Sequence, residues 1–233
     1  MVAPDEEAPR QLPMEFDLTD AYSADDLVVT DVNRAAASLV AGWPDWPSPV
    51  VVLAGPTGSG KTHLASIWRA RSAARAFEAA AIGGPELPST GAALVEDVDS
   101  GALDERGLFH LINAVRAAGG TLLMTSRGFP SAWPVALADL LSRLKAATTV
   151  EIAEPDDALL GAVITKLFAD RQLTVEPHVV SFLVHRMDRS LAAAIELVGR
   201  IDRMSLERKS RISRALAADV VAAMDSGHGG EDF

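Results

Sequence analysis

Residues 50–68 read VVVLAGPTGSGKTHLASIW. The first five form an unbroken apolar run of buried-strand length. The next eight fit G-x-x-x-x-G-K-[ST]. Leu64, Ile67 and Trp68 then fall at helical spacing. A strand, a glycine-rich turn, a lysine, a threonine and a helix in this order read as a phosphate-binding loop. Gly55, Gly58 and Gly60 permit a tight turn, and Pro56, Thr57 and Ser59 complete the cradle. The helix N-terminus adds its dipole. Lys61 is expected to reach the β- and γ-phosphates of ATP, or the β-phosphate of ADP, and Thr62 to offer its hydroxyl to Mg²⁺. His63, next in line, is expected to pack or cap against the loop.

Outward from this loop, apolar runs at 77–82, 92–96, 121–126 and 148–152 read as further strands. Between them, Leu108, Leu111, Ile112 and Val115, then Leu137, Leu140, Leu141 and Leu144, recur with helical period. A short helix at 33–42 is broken by WPDWPSP, whose three prolines cannot continue it. Strands alternating with helices imply an α/β domain with a parallel sheet covered on both faces. After residue 155 the strands stop. Helical segments near 156–171, 177–187, 190–206 and 213–224 imply a small all-helical lid, with Ser190 and Ser213 as candidate caps. The expected division is a flexible tail (1–20), the α/β domain (21–154), the lid (155–225) and a disordered end (226–233). No internal repeat is evident.

The run AALVEDVDS (92–100) supplies acids at a strand end, where magnesium is held and water polarised. Glu96 and Asp97 are the candidates, with Asp97 polarising water. Asp99 is assigned to the turn that follows.

The chain has 233 residues, 48% of them hydrophobic, and no cysteine. Disulfides, thiolate metal sites and catalytic thiols are therefore excluded. No apolar run is long enough to span a membrane, and an acidic N-terminus does not read as a signal peptide. A cytoplasmic protein is expected. The five histidines show no ligand spacing. Net charge is −11, unevenly spread: residues 1–31 hold nine acids against one base, and residues 186–214 hold eight bases against four acids. The basic stretch reads as a solvated helix face, or as a surface for an acidic partner or nucleic acid.

Several of these stretches together resemble the DnaA branch of the AAA+ ATPases. GPTGSGKTHLASIW resembles its phosphate loop, and YSADDLVVTDVNRAA (22–36) its N-linker. The resemblance implies that the linker packs against adenine through Leu27, Val28 and Asn33. LLMTSRGFPSAW (122–133) resembles the sensor 1 strand and loop, which implies a sensor role for Ser126 beside Thr125. LADLLSRLKAATTVEIAEPDD (137–157) resembles the arginine-finger box, placing the finger on Arg143, to act in trans. HRMDRSLAAAIELVGRIDRMSL (185–206) resembles the sensor 2 helix, placing Arg189 near the γ-phosphate. Two departures matter. Arg127 stands where the branch has an acid after Thr-Ser, and Glu96 precedes Asp97 where an aspartate comes first. Both imply that the chain's own ATPase is weak and that nucleotide serves mainly as a structural switch. Arg143 falls about 110° from the centre of the Leu137–Leu144 stripe, so it can project from the domain. The competing reading is a surface arginine satisfying Asp139.

Only GGPELPSTG (83–91) joins the second strand to the acidic strand, and the chain stops soon after the lid helices. The DnaA initiator has a longer insertion and a DNA-reading domain there. This pattern resembles the Hda family of DnaA paralogues. That resemblance implies a negative regulator of replication initiation, which binds the sliding clamp and stimulates ATP hydrolysis by the DnaA initiator. It is compatible with a homodimer or AAA+ oligomer, and with DNA contact that is weak or indirect.

The tail then gains a meaning. QLPMEF (11–16) is similar to clamp-binding peptides, with Gln11, Leu12, Met14 and Phe16 at the anchoring positions. Gln11 has both donor and acceptor for a polar subsite. The three apolar side chains are each worth about 1.5–3 kcal/mol if fully buried. The rival function is an AAA+ helicase loader that touches single-stranded DNA through 186–214. A small-molecule P-loop kinase fits less well, because it explains neither the finger box nor the lid.

Overall fold

A computed structural model describes residues 24–84 and 86–228. The tail motif Gln11–Phe16 therefore lies outside the described residues. The elements, in order, are α1 (Arg34–Ala41), β1 (Val50–Ala54), α2 (Lys61–Ser72), β2 (Arg75–Phe77), β3 (Ala92–Val95), α3 (Glu105–Ala117), β4 (Thr121–Ser126), α4 (Ala138–Lys145), β5 (Thr148–Glu151), α5 (Asp157–Asp170), α6 (Pro177–Val184), α7 (Leu191–Glu207) and α8 (Arg214–His228). The five strands form one parallel sheet in the order β2-β3-β4-β1-β5.

Strand alternation divides the sheet's side chains between two layers. Val50, Val52, Ala93, Val95, Leu122 and Met124 pack under α3 and α4, joined by Leu108, Leu111, Ile112, Val115, Leu140 and Leu144. Val51, Leu53, Leu94 and Leu123 pack on the other face against Leu64, Ala65 and Trp68 of α2 and Ala36 and Val40 of α1. All five residues of β1 are buried, as an inner parallel strand requires.

The WPDWP break between α1 and β1 is a packing device. Trp46 stacks on Trp68 at 5.2 Å between ring centroids, and Trp43 meets the same ring edge-on at 6.5 Å. The Trp43 indole donates to the Thr121 hydroxyl and the Trp46 indole to the Leu39 carbonyl.

One expected strand is displaced. The run 77–82 is not a strand; β2 is Arg75–Phe77. Its neighbour explains why. Phe77 pairs with Val95, where β3 ends, so residue 78 has no strand to continue against. The chain turns instead, and the Asp104 amide and carboxylate hold it through the Ala79 carbonyl and the Gly83 amide. At the other end, α8 runs to His228, beyond the expected 224.

The four helices α5–α8 bury a separate core of Leu160, Ile164, Phe168, Leu183, Leu197, Val198, Ile201 and Val220, among others. Asp156 caps α5 and Ser190 caps α7, each accepting a backbone amide three residues on. Ser213 accepts from the Leu216 amide ahead of α8.

Candidate nucleotide site

The turn after β1, the acidic turn after β3 and the loop after β4 leave the same edge of three adjacent strands. A crevice outside the carboxyl ends of parallel strands is where such sheets bind ligands.

The first of these turns is fixed from three sides. Gly58 and Gly60 have φ of 77° and 98°, the left-handed region that suits glycine. A Cβ on Gly55 would run into the Ile152 carbonyl, and one on Gly58 into the Ser190 side chain. The Leu191 amide donates to the Gly58 carbonyl at 2.9 Å. The loop is thus docked on the N-terminus of lid helix α7. Gly60 is the N-cap of α2, and Thr62 and His63 lie in that helix's first turn.

Lys61 is buried, and its ammonium donates to the carbonyls of Gly55 and Pro56, both at 2.8 Å. Burial lowers its pKa; the charges of Asp97 and Asp99 oppose that shift and Arg127 adds to it. Those groups therefore share one electrostatic site with Lys61.

Glu96 follows β3 directly. Burial raises its pKa, a hydrogen bond with the Thr62 side chain pulls it back, Asp97 raises it and Arg69 lowers it. Its Oε1 is buried without a partner among the described residues. A buried carboxylate beside the loop threonine, with one oxygen unpaired, fits a divalent cation. Glu96 and Thr62 are the groups that would hold Mg²⁺, which would supply charge neutralisation at a bound phosphate. Asp97 differs. Its φ is 49°, and its amide donates to the Thr125 hydroxyl at 2.9 Å.

The two candidate sensor residues hydrogen-bond within the protein. Thr125 accepts from Asp97. Ser126 is buried, and its hydroxyl donates to the Gly128 carbonyl at 2.8 Å. The Asp99 carboxylate accepts the amides of Arg127 and Gly128, so it clasps the loop after β4 as well as shaping its own turn. Glu105 accepts the amides of Ala136 and Leu137 and so caps the start of α4.

Arg143, in the last turn of α4, is partly exposed, and its guanidinium carbon lies 4.8 Å from the centroid of the Phe109 ring on α3. Among the described residues Asp139 does not pair with it. Arg189 sits just ahead of the α7 cap, as expected, but its guanidinium pairs with Asp157 at 2.8 Å and with the Pro155 carbonyl. The linker residue Asn33 is buried and braces its own segment. It accepts from the Thr30 amide and donates to the Val28 carbonyl, both at 2.9 Å. Leu27 packs against the core layer shared by β1, α1 and α2, with Val28 next to it, half-buried. Asp26, just before Leu27, pairs with Lys166 of α5 at 2.7 Å, so the linker reaches the lid.

The sequence reading did not single out Glu105, Phe109, Asp26 or Lys166, and it placed Asp99 only in a turn. Their roles rest on contacts between segments far apart in the chain. Only the acid three residues before a helical glycine, Asp104 before Gly107, carried a local signal, that of an N-cap.

No family model matches the chain. It is 28% identical over 241 aligned positions to the chromosomal replication initiator protein DnaA of Caulobacter sp. (strain K31), an alignment covering 89% of this chain and 49% of that protein. The chain thus spans about half the length of the curated relative it matches. Among solved structures, domain III of the Thermotoga maritima replication initiation protein DnaA superposes with a TM-score of 0.70 at 15% identity, over 87% of this chain and 96% of that one. AMPPCP-bound DnaA from Aquifex aeolicus gives 0.65 at 20% identity, over 80% and 66%. The Thermotoga maritima RuvB Holliday junction branch migration motor gives 0.67 at 18%, over 89% and 73%. The fold is that of the AAA+ P-loop domains, as the α/β reading expects, and the sequence is DnaA-like. A branch migration motor shares this fold, so architecture alone does not select the function.

Among the described residues no helix is long and apolar enough to cross a membrane. No group of three or more His, Asp or Glu there has the arrangement of a metal cage.

Proposed function

We propose that this chain is a DnaA-related, adenine-nucleotide-binding regulator of replication initiation, of the Hda type. In this reading nucleotide holds its lid and linker in place, while Arg143 acts on ATP bound by a partner initiator. The observation that carries the proposal is the contrast between its two halves. The groups that would handle a nucleophilic water, Thr125 and Ser126, are tied to Asp97 and Gly128. The candidate finger is instead partly exposed, in the last turn of α4. That division suits a protein that holds nucleotide and acts on another's. The DnaA-like sequence, and a fold shared with AMPPCP-bound DnaA, support the nucleotide and the replication setting.

Gln11, Leu12, Met14 and Phe16 would tether the regulator to the sliding clamp. The helicase-loader reading draws on the basic stretch 186–214. There, Arg189 pairs with Asp157, Arg200 with Glu196 and Arg208 with Asp219, which leaves less free positive charge for a DNA strand. Affinity capture separates the two readings. The immobilised full chain is exposed to purified clamp and purified replicative helicase. Retention of clamp, lost in a Gln11→Ala/Leu12→Ala variant that still binds nucleotide, supports the proposal. Retention of helicase alone refutes it.

A further inference from the structure

Away from the nucleotide crevice, the lid carries an open groove of about 320 Å³ lined by His178, Ser181, Phe182, His185, Arg186 and Arg214. Two guanidiniums share the Phe182 ring, Arg214 at 5.1 Å from its centroid and Arg186 at 5.8 Å. Both arginines are exposed, and among the described residues neither pairs with a carboxylate. No acid lines the groove. In a chain of net charge −11, this is a local cationic surface with apolar aromatic floor.

The same chain holds a complementary segment. Residues 1–23 carry Asp5, Glu6, Glu7, Glu15, Asp17 and Asp20 against a single base, Arg10, with Leu12, Met14 and Phe16 among them. The described chain begins at Ala24, and Asp26 is fixed 2.7 Å from Lys166 on α5. Helix α5 packs on α6, which supplies three of the six groove residues, with His185 and Arg186 just past its end, and α6 packs on α8, which supplies Arg214. The segment thus enters at the lid itself. At about 3.3 Å per extended residue, 23 residues reach ~75 Å, well beyond the diameter of a lid of this size.

We propose that the acidic N-terminal segment docks in the Phe182 groove of its own lid, its carboxylates on Arg186 and Arg214. The groove is then an acidic-peptide site filled in cis. Docking presents or withholds the tail according to what else competes for it. The inference does not depend on the clamp reading.

The chain has no cysteine, so Ala3→Cys gives a single attachment point for a nitroxide. Amide spectra of the full chain are recorded with the label oxidised and reduced. The expected result is selective loss of intensity at 178–186 and 211–216 with the oxidised label. That loss should vanish in an Arg186→Glu/Arg214→Glu variant, and at about 1 M salt, where the screening length falls to about 3 Å. A tail with its six acids changed to Asn and Gln must abolish the loss too, and it leaves the lid untouched should the charge reversal disturb folding. Uniform or absent broadening overturns the proposal. So does broadening indifferent to these variants. A groove whose signals respond to a labelled oligonucleotide while ignoring the tail is a nucleic-acid site, and that result overturns it as well. No clamp is present in the experiment, so its failure is distinct from failure of the tether.

Discussion

The Arg143 guanidinium carbon rests 4.8 Å from the centroid of the Phe109 ring, joining the end of α4 to the middle of α3. One helical turn earlier on α3, Glu105 caps the start of α4 by accepting the amides of Ala136 and Leu137. Helix α3 therefore grips both ends of the helix that carries the candidate finger. A cation over a ring at a partly exposed site is worth about 0.5–1 kcal/mol, small enough for a partner's phosphate to displace it. Phe109→Ala should lower thermal stability and weaken stimulation of the initiator, whereas Phe109→Tyr, which keeps a ring, should preserve stimulation. Equal loss in both variants would show that the ring's π-face is not what positions Arg143.

Gly58 joins the phosphate loop to the lid. Gly58→Ala adds a Cβ that meets Ser190 and forces an alanine into φ of 77°. Gly83→Ala is the control, since Gly83 also has positive φ but open space around it. Strain alone costs about 1–2 kcal/mol. Thermal melts should show both variants destabilised, and calorimetric titration should show only Gly58→Ala losing nucleotide affinity, by about tenfold or more for a block of about 1.4 kcal/mol.

Glu96 gives a pH signature. Its folded pKa is raised above the ordinary 4.5, mainly by burial. The protonated carboxyl is thus the form the fold favours. The stability it contributes is present below the ordinary value and is lost as pH rises through the raised one. In magnesium-free buffer, Glu96→Gln should melt above the parent at pH 7 and converge with it in acid. With Mg²⁺ and ATP the order should reverse, because the variant loses a ligand. A variant less stable than the parent at pH 7 without metal would contradict the assignment.

Lys166 takes both Asp26 and Asp170 at 2.7 Å, and these two hydrogen bonds raise its pKa, that to Asp170 first. The pair to Asp26 ties the linker to the lid. Pairs of this kind contribute about 0.2–1 kcal/mol, so Lys166→Ala should barely move the melting temperature. Hydrogen exchange at 27–30 should nevertheless quicken, and nucleotide should dissociate faster. Unchanged exchange there would mean that packing of Leu27, not the ion pair, holds the linker.

Local chemistry explains what was legible in the sequence. The turn after β1 could be read because Gly55, Gly58, Gly60, Lys61 and Thr62 fall within eight residues between a strand and a helix. The helices of the lid could be read from period and from Ser190 and Ser213. The strand expected at 77–82 could not, because alanines fit a strand or a turn equally and the decision lay with the end of β3. The fates of Arg143 and Arg189 were hidden for a similar reason. Periodicity says that a side chain can leave a helix's apolar face. Only the fold says that Phe109 or Asp157 waits beside it.

The most direct test of the central claim is single-turnover hydrolysis of labelled ATP bound to the initiator, with clamp and DNA present. The chain and its Arg143→Ala variant are compared, and the chain's own turnover is measured alongside. The account predicts fast conversion to ADP with the parent chain, slow own turnover, and a loss of about 10³-fold or more in stimulation by the variant, with nucleotide binding retained. Stimulation that survives Arg143→Ala, or own turnover as fast as the initiator's stimulated rate, would contradict it.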